Sequence, residues 1–309
     1  ELWGGPGNDR RLRLPFPEGV TPSVATAMTP AGDRVVAGTP DGQVVVWDVA
    51  GPAPGAPRTS RIADDGNLVA IDVSPDGTLL AAGLYNGHGT VLARIGADLS
   101  VTPLATLPSE VPQLATFSPD GRYLQVGIAA GAVDLWDVSD PEHPIATASL
   151  PTPSNPGASA FSSTGRLLAA GTDGGDVLLW DWTDPARPQE LRRLLGPRAG
   201  INTIAFSPDA SLLVAAGVGD YLWVWDLTED STAAVLSVPA AMGSVHDVQF
   251  LAGGALIAAT GATGEVRLWG TDPDAERPVL CSVRGEPLTD GEWERYLPGI
   301  PRIDPCSER

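Results

Sequence analysis

Reactive side chains are few in this chain, and their spacing limits what they could do. There are three histidines, His88, His143 and His246, and two cysteines, Cys281 and Cys306. A catalytic metal or an acid–base pair needs such groups to converge at ligand or hydrogen-bond spacing. No HExxH or His-x-His occurs, and two cysteines without a nearby histidine do not compose a zinc site. No GxSxG, Walker or GxGxxG sequence leads into a helix. The carboxylates of Ser139-Asp140-Pro141, Thr183-Asp184-Pro185 and Thr271-Asp272-Pro273 sit in turn-forming tripeptides, and the glycine-rich run Gly171 to Gly175 joins strand to strand. The expectation is therefore no catalytic residue, no metal and no organic cofactor. One covalent option remains. Cys281 and Cys306 bracket a single segment, and a bridge between them would stabilise it by about 3–4 kcal/mol through loop closure. The alternative is two free thiols in a reducing compartment.

Composition narrows the partners. Asp and Glu number 38 against 19 Lys and Arg, all of them Arg, for a net charge of −19. Phosphate backbones and anionic lipid need a basic footprint, so nucleic acid and direct membrane insertion are both disfavoured. No run of apolar residues is long enough to span a bilayer. The sequence opens at Glu1 without a signal peptide, so any targeting information is expected upstream.

The elements that must position these side chains repeat. Trp47-Asp48, Trp136-Asp137, Trp180-Asp181 and Trp225-Asp226 are spaced by 89, 44 and 45 residues, and Trp269 follows Trp225 by 44. Trp3 lies 44 before Trp47, and one station near Arg94 or Ala93 lacks its tryptophan. A turn marker keeps the same clock: Gly32, Gly77, Gly121, Gly165, Ala210 and Gly254. Each unit reads as a Pro-Asp-Gly-type turn, a short strand, a second turn and a strand ending in Trp-Asp.

Ser-Pro-Asp-Gly at Ser74 and Ser118, and Val-x-Leu-Trp-Asp at Val133 and Val177, make the chain resemble the WD40 repeat family over roughly residues 1–283. The resemblance implies an all-β propeller of four-stranded blades, and the repeats count to seven: six complete repeats with cores at 24–48, 68–95, 113–138, 158–182, 201–227 and 245–271, plus an N-terminal partial blade. A closed six-blade ring is the alternative. Trp47, Trp136, Trp180, Trp225 and Trp269 are expected at equivalent places as buried anchors. Blade two, without its tryptophan, is expected to be the least regular. Residues 284–309 form a capping tail in which Thr289 and Glu292 make a capping box and Trp293 anchors an apolar helical face. That tail is similar to those on WD40 regions of large regulatory proteins from high-GC bacteria.

What remains for function is surface. Tyr85, Asn86, His88, Asp220, Tyr221, Met242 and His246 fall in loops that converge on one rim of a propeller, and are the candidate interaction residues. The resemblance implies a sensing or scaffolding module whose partner is a protein, a peptide or an upstream domain of the same polypeptide. A propeller-type enzyme, such as a lyase, a lactonase or a peptidase gate, is the second reading. A structural domain that holds an upstream effector inactive is the third. A formed disulfide implies an extracytoplasmic location, and free thiols a cytoplasmic one.

Overall fold

A computed structural model describes residues 2–4, 10–12, 14–21, 23, 25–85, 89–129 and 131–271, with backbone only at 2–4, 10–12 and 252. Cys281, Cys306, Trp293, Asn86, His88 and the tail at 284–309 lie outside the described residues.

Short strands separated by turn residues build successive antiparallel sheets. At the N-terminus β1 (Leu2–Gly4) pairs with β2 (Arg10–Leu12), Trp3 opposite Arg11. Blade 1 contains β3 (Thr26–Met28), β4 (Arg34–Gly38), β5 (Gln43–Asp48) and β6 (Arg58–Arg61). Blade 2 contains β7 (Leu68–Val73), β8 (Leu79–Leu84), β9 (Gly89–Ile95) and β10 (Val101–Leu107). Blade 3 contains β11 (Pro112–Phe117), β12 (Tyr123–Ile128), β13 (Ala132–Asp137) and β14 (Ile145–Pro151). Blade 4 contains β15 (Pro156–Phe161), β16 (Leu167–Thr172), β17 (Val177–Asp181) and β18 (Gln189–Leu194). Blade 5 contains β19 (Ile201–Phe206), β20 (Leu212–Gly217), β21 (Tyr221–Asp226) and β22 (Leu236–Pro239). Blade 6 contains β23 (Val245–Leu251), β24 (Leu256–Gly261) and β25 (Val266–Gly270). First strands of successive blades pack on one another from β3 to β23, and the apolar core lies in the seams between blades.

The tryptophans are equivalent. Each stands opposite the second residue of its neighbouring strand in blades 3 to 6 and in blade 1: Val35 with Trp47, Leu124 with Trp136, Leu168 with Trp180, Leu213 with Trp225, Ile257 with Trp269. Trp47, Trp180 and Trp225 are fully buried, whereas Trp136 and Trp269 are only half-buried. In blade 2 the register places Ala93, not Arg94, at that station, opposite Leu80. The expected irregularity of blade 2 is not met: its four strands are six or seven residues long. Alanine is accommodated because Val44, Val46 and Ile62 of blade 1 fill the seam on that side. Blade 1 also has a fourth strand, β6, directly after the Gly- and Pro-rich stretch Gly51 to Pro57, which its charged sequence Arg-Thr-Ser-Arg conceals.

The turns between first and second strands are held by a buried hydroxyl. Ser74, Ser118 and Ser207 each accept a backbone N–H from five residues on, at 2.9 Å, and donate to the turn aspartate at 2.6, 2.5 and 2.7 Å. Thr29 and Ser162 take the same place in blades 1 and 4. The turn residue Gly77 has φ +73°, a left-handed conformation that glycine adopts without steric cost; Ala210 pays that cost at φ +59°. A second glycine row lies in the second strands. A Cβ added at Gly38 or Gly171 would lie 2.7 Å from Leu68 Cβ or 2.4 Å from Ile201 Cγ2, both on the next blade's first strand. Glycine is what lets neighbouring blades approach there.

Candidate functional site: a rim groove between blades 4 and 5

The groove starts from two local necessities. The strand β18 must release the chain towards β19, and the loop 195–200 does so. Leu195 N–H donates to Thr232 O at 2.7 Å, and Leu195 O accepts Trp225 Nε1–H at 3.1 Å. The loop is thus tied on both sides before it reaches the rim. Gly196 then passes under Trp223; a Cβ there would stand 2.4 Å from the indole Cε3, so no larger residue fits. On the facing side, the turn from β20 to β21 is fixed by Asp220, which has φ +55°. Its carbonyl accepts Ala240 N–H and its carboxylate accepts Met242 N–H, both at 2.8 Å.

Between these two fixed loops lies a cavity of about 280 Å³, lined among others by Pro197, Arg198, Ala199, Tyr221 and Trp223. Tyr221 is 43% exposed, and its ring is 6.3 Å from that of Trp223 at a tilt of 41°. Arg198 is exposed and has no ion-pair partner among the described residues. Most other described arginines are paired, for instance Arg122 with Asp137 at 2.9 Å and Arg58 with Asp98 at 2.8 Å. An aromatic shelf beside a free guanidinium can bury an apolar side chain and pair with a carboxylate. It offers no nucleophile and no base.

A larger groove, about 500 Å³, lies on the opposite rim between blades 3 and 4. Its aromatic residues, Tyr123 and Trp182, are themselves buried against each other, with ring centroids 5.3 Å apart. Its arginine, Arg122, lies over the Tyr123 ring and is neutralised by Asp137. That groove is packing that has already found its partners, so the smaller one is the better candidate.

The residues singled out in the sequence fall into three groups. Tyr221 lines the groove, and Tyr85 (54% exposed) and His246 are exposed elsewhere, on blades 2 and 6. Asp220 is a positioning residue of the turn, its carboxylate engaged by the backbone. Met242 is fully buried in the blade 5–6 seam with Val245 and Ile257, so it presents no surface; a loop position next to glycine does not reveal that its side chain turns inward. Asn86 and His88 lie outside the described residues. Sequence reasoning missed Arg198 and Pro197. The signal was available: among the loops that join one blade's outer strand to the next blade's first strand, only this one carries an arginine flanked by glycines, in Gly196-Pro197-Arg198-Ala199-Gly200.

Among the described residues the histidines and turn carboxylates show no convergence. His143 Nδ1 lies 3.1 Å from Asp140 Oδ2 at an exposed turn of blade 3, and Asp140 also accepts Glu142 N–H at 3.1 Å. Asp184 accepts Ala186 N–H at 3.1 Å. Among the described residues no three His, Cys, Asp or Glu side chains gather as metal ligands would. One carboxylate is unusual. Burial pushes Asp72 up to about 6, against the pull of the Phe117 and Val73 backbone N–H groups; the Phe117 bond, 2.8 Å long, crosses from blade 3.

Fold and repeats together give the chain a WD40-like β-propeller architecture. Residues 153–181 and 188–226 match the family profile described as "WD domain, G-beta repeat". The chain is similar to Actin-interacting protein 1 of Caenorhabditis elegans, 26% identical over 225 residues; these are 70% of this chain and 34% of that relative, so the chain spans about a third of its length. Among solved structures it is similar to Sqt1 of Chaetomium thermophilum, crystallised bound to the N-terminus of the ribosomal protein L10. The TM-score is 0.66 at 22% identity, covering 80% of this chain and 71% of that one. That likeness is one of fold. No helix among the described residues is long and apolar enough to cross a membrane.

Proposed function

We propose that this propeller is a non-catalytic protein-interaction scaffold that holds a peptide segment of its partner in the groove between blades 4 and 5. The observation that carries this reading is the open Tyr221–Trp223 shelf beside an unpaired Arg198. An apolar side chain of the partner rests on the shelf, and a carboxylate next to it in sequence meets Arg198. The names of the similar proteins agree with a binding role: one is called actin-interacting, the other was crystallised on a ribosomal-protein terminus. The wider setting in this reading is a larger bacterial regulatory protein, supported by the tail sequence from Cys281 to Cys306. An intact-mass measurement on unreduced protein, with and without alkylation, tests its extracytoplasmic placement: two alkylated thiols move it to the cytoplasm.

Peptide-display selection against the 309-residue chain tests the binding site. Selected peptides should carry an apolar residue adjacent to Asp, Glu or a free C-terminus, and Tyr221→Ala and Arg198→Glu should each weaken them by about tenfold or more. Peptides that bind wild type and both variants equally would place the interaction elsewhere.

A further inference from the structure

One station recurs in every seam from blade 1 to blade 6. There the third residue of a second strand and the fourth residue of the next blade's first strand meet in a shared core. Val36 joins Ile71 in this way, Ala169 joins Ile204, Val214 joins Val248, and two alanines take the station between blades 2 and 3. Between blades 3 and 4 the same two positions are Gln125 and Ser159. Gln125 has no exposed surface. Its Nε2 and Oε1 and the buried Oγ of Ser159 have no hydrogen-bond partner among the described residues. Around them the seam is hydrocarbon, with Leu135, Ala170 and Phe161 in its core.

The same seam departs from the repeat a second time. Trp182 stands two residues after the Trp180 station, where blades 1, 3 and 5 have Val49, Val138 and Leu227. Tyr123 lies two before Gln125 on β12, and Phe161 two after Ser159 on β15, so each shares a strand face with its polar neighbour. Both rings meet Trp182, with centroids 5.3 and 5.5 Å away. The rim groove between blades 3 and 4 ends on Tyr123 and Trp182. Three rings therefore stand between that groove and the polar pair.

We infer that Gln125 and Ser159 form an internal binding site for water, shut off from the rim by Tyr123, Phe161 and Trp182. An amide and a hydroxyl buried with no partner cost far more than the Ala or Val of the other seams, and a bridging water restores the bonds they lose on leaving solvent. Water fits the site's chemistry. It is small enough for a seam closed by rings, and it both donates and accepts, so either amide atom and the hydroxyl can face it. The core residues of this seam carry no charge that would hold an ion instead. The polar station thus joins blades 3 and 4 through a hydrogen-bonded bridge, where the other seams join through hydrocarbon alone.

A crystal structure of the 309-residue chain, at a resolution that shows ordered solvent, tests this. A solvent peak should lie within about 3.2 Å of both Ser159 Oγ and one amide atom of Gln125. A Gln125 amide turned directly onto Ser159 Oγ overturns the inference, and so does a seam without a peak. Unfolding equilibria read the same site independently. Ser159→Ala and Gln125→Leu should each lower the folding constant about fivefold or more, because each leaves the other group and its water short of a bond. The double variant makes the station apolar like the others and should return to within about threefold of wild type. Single variants as stable as wild type, or losses that simply multiply in the double variant, overturn a shared water.

Discussion

Two seams in this propeller solve one problem differently. Between blades 4 and 5, Trp225 fills the gap with a single large side chain, and its indole N–H ties it to Leu195 O. Between blades 1 and 2 the corresponding station is Ala93, and the seam is filled by many small groups, including Val36, Val44, Ala82 and Val91. The polar ties there lie at the outside: Val101 N–H donates to Ser60 Oγ at 3.0 Å, Arg58 pairs with Asp98, and Arg34 donates to Gly96 O at 3.3 Å. At this station one seam relies on a single large residue, and the other shares the volume among several aliphatic ones. The comparison teaches that the repeat demands a filled volume at this station and not a tryptophan as such.

The largest expected effect tests the concentrated seam. Trp225→Ala should cost about 3–5 kcal/mol in denaturant unfolding, because a fully buried side chain leaves a cavity and an orphaned carbonyl. No single truncation to alanine among Val36, Val44 and Val91 should reach that. The next effect lies in the seam between blades 2 and 3. Asp72 has a folded value of about 6, raised by burial above its ordinary 3.8. The folded state therefore binds the proton more tightly, so stability rises as pH falls through 6 and the gain is complete below about 4. The gain is at most about 3 kcal/mol. Asp72→Asn, which keeps an acceptor for Phe117 N–H, should flatten the stability curve between pH 4 and 7 and raise stability at pH 7.5. An unchanged slope would mean that Asp72 is not the group responsible. Asp209 works oppositely: hydrogen bonds from Ser207 and Ser211 hold it down at about 2, so its contribution is present above its ordinary range and lost as pH falls towards 2.

Filling the distributed seam gives a smaller change. Ala93→Trp should destabilise by roughly 1–3 kcal/mol, since Ala93 has no exposed surface and its neighbours already meet. Its sign separates a seam that is complete from one that merely lost an anchor. The smallest effect isolates the indole hydrogen bond. Trp225→Phe should cost about 1 kcal/mol more than Trp136→Phe, because Trp136 Nε1 is buried without a partner and its removal loses no bond.

The repeat was legible because two unrelated chemistries, indole burial and left-handed turns, kept one period. The strands that failed to announce themselves failed for physical reasons. Arg58 to Arg61 is an outer strand with one face in water, so it carries no apolar alternation to read. The outer strand of blade 5 begins only at Leu236, because Ala233 is drawn into a parallel bridge with Leu195 of the neighbouring blade. The site was less legible than the fold. Tyr221 could be placed on a rim from the turn before it, but the groove depends on Gly196 yielding to Trp223, a contact between blades that no local pattern encodes. Met242 shows the converse, a loop residue whose direction is set by the seam beneath it.

The buried turn hydroxyls carry a kinetic consequence. Ser74, Ser118 and Ser207 close their turns with partners no more than five residues away, so each first-and-second-strand hairpin can form with almost no loop-closure cost. Such a chain assembles by accretion of neighbours, as solenoids do, rather than by a search for distant contacts. Its hazard is correspondingly an interrupted assembly: an arc of finished hairpins with one blade face still bare, which is a template for association with another arc before the chain has failed to fold at all.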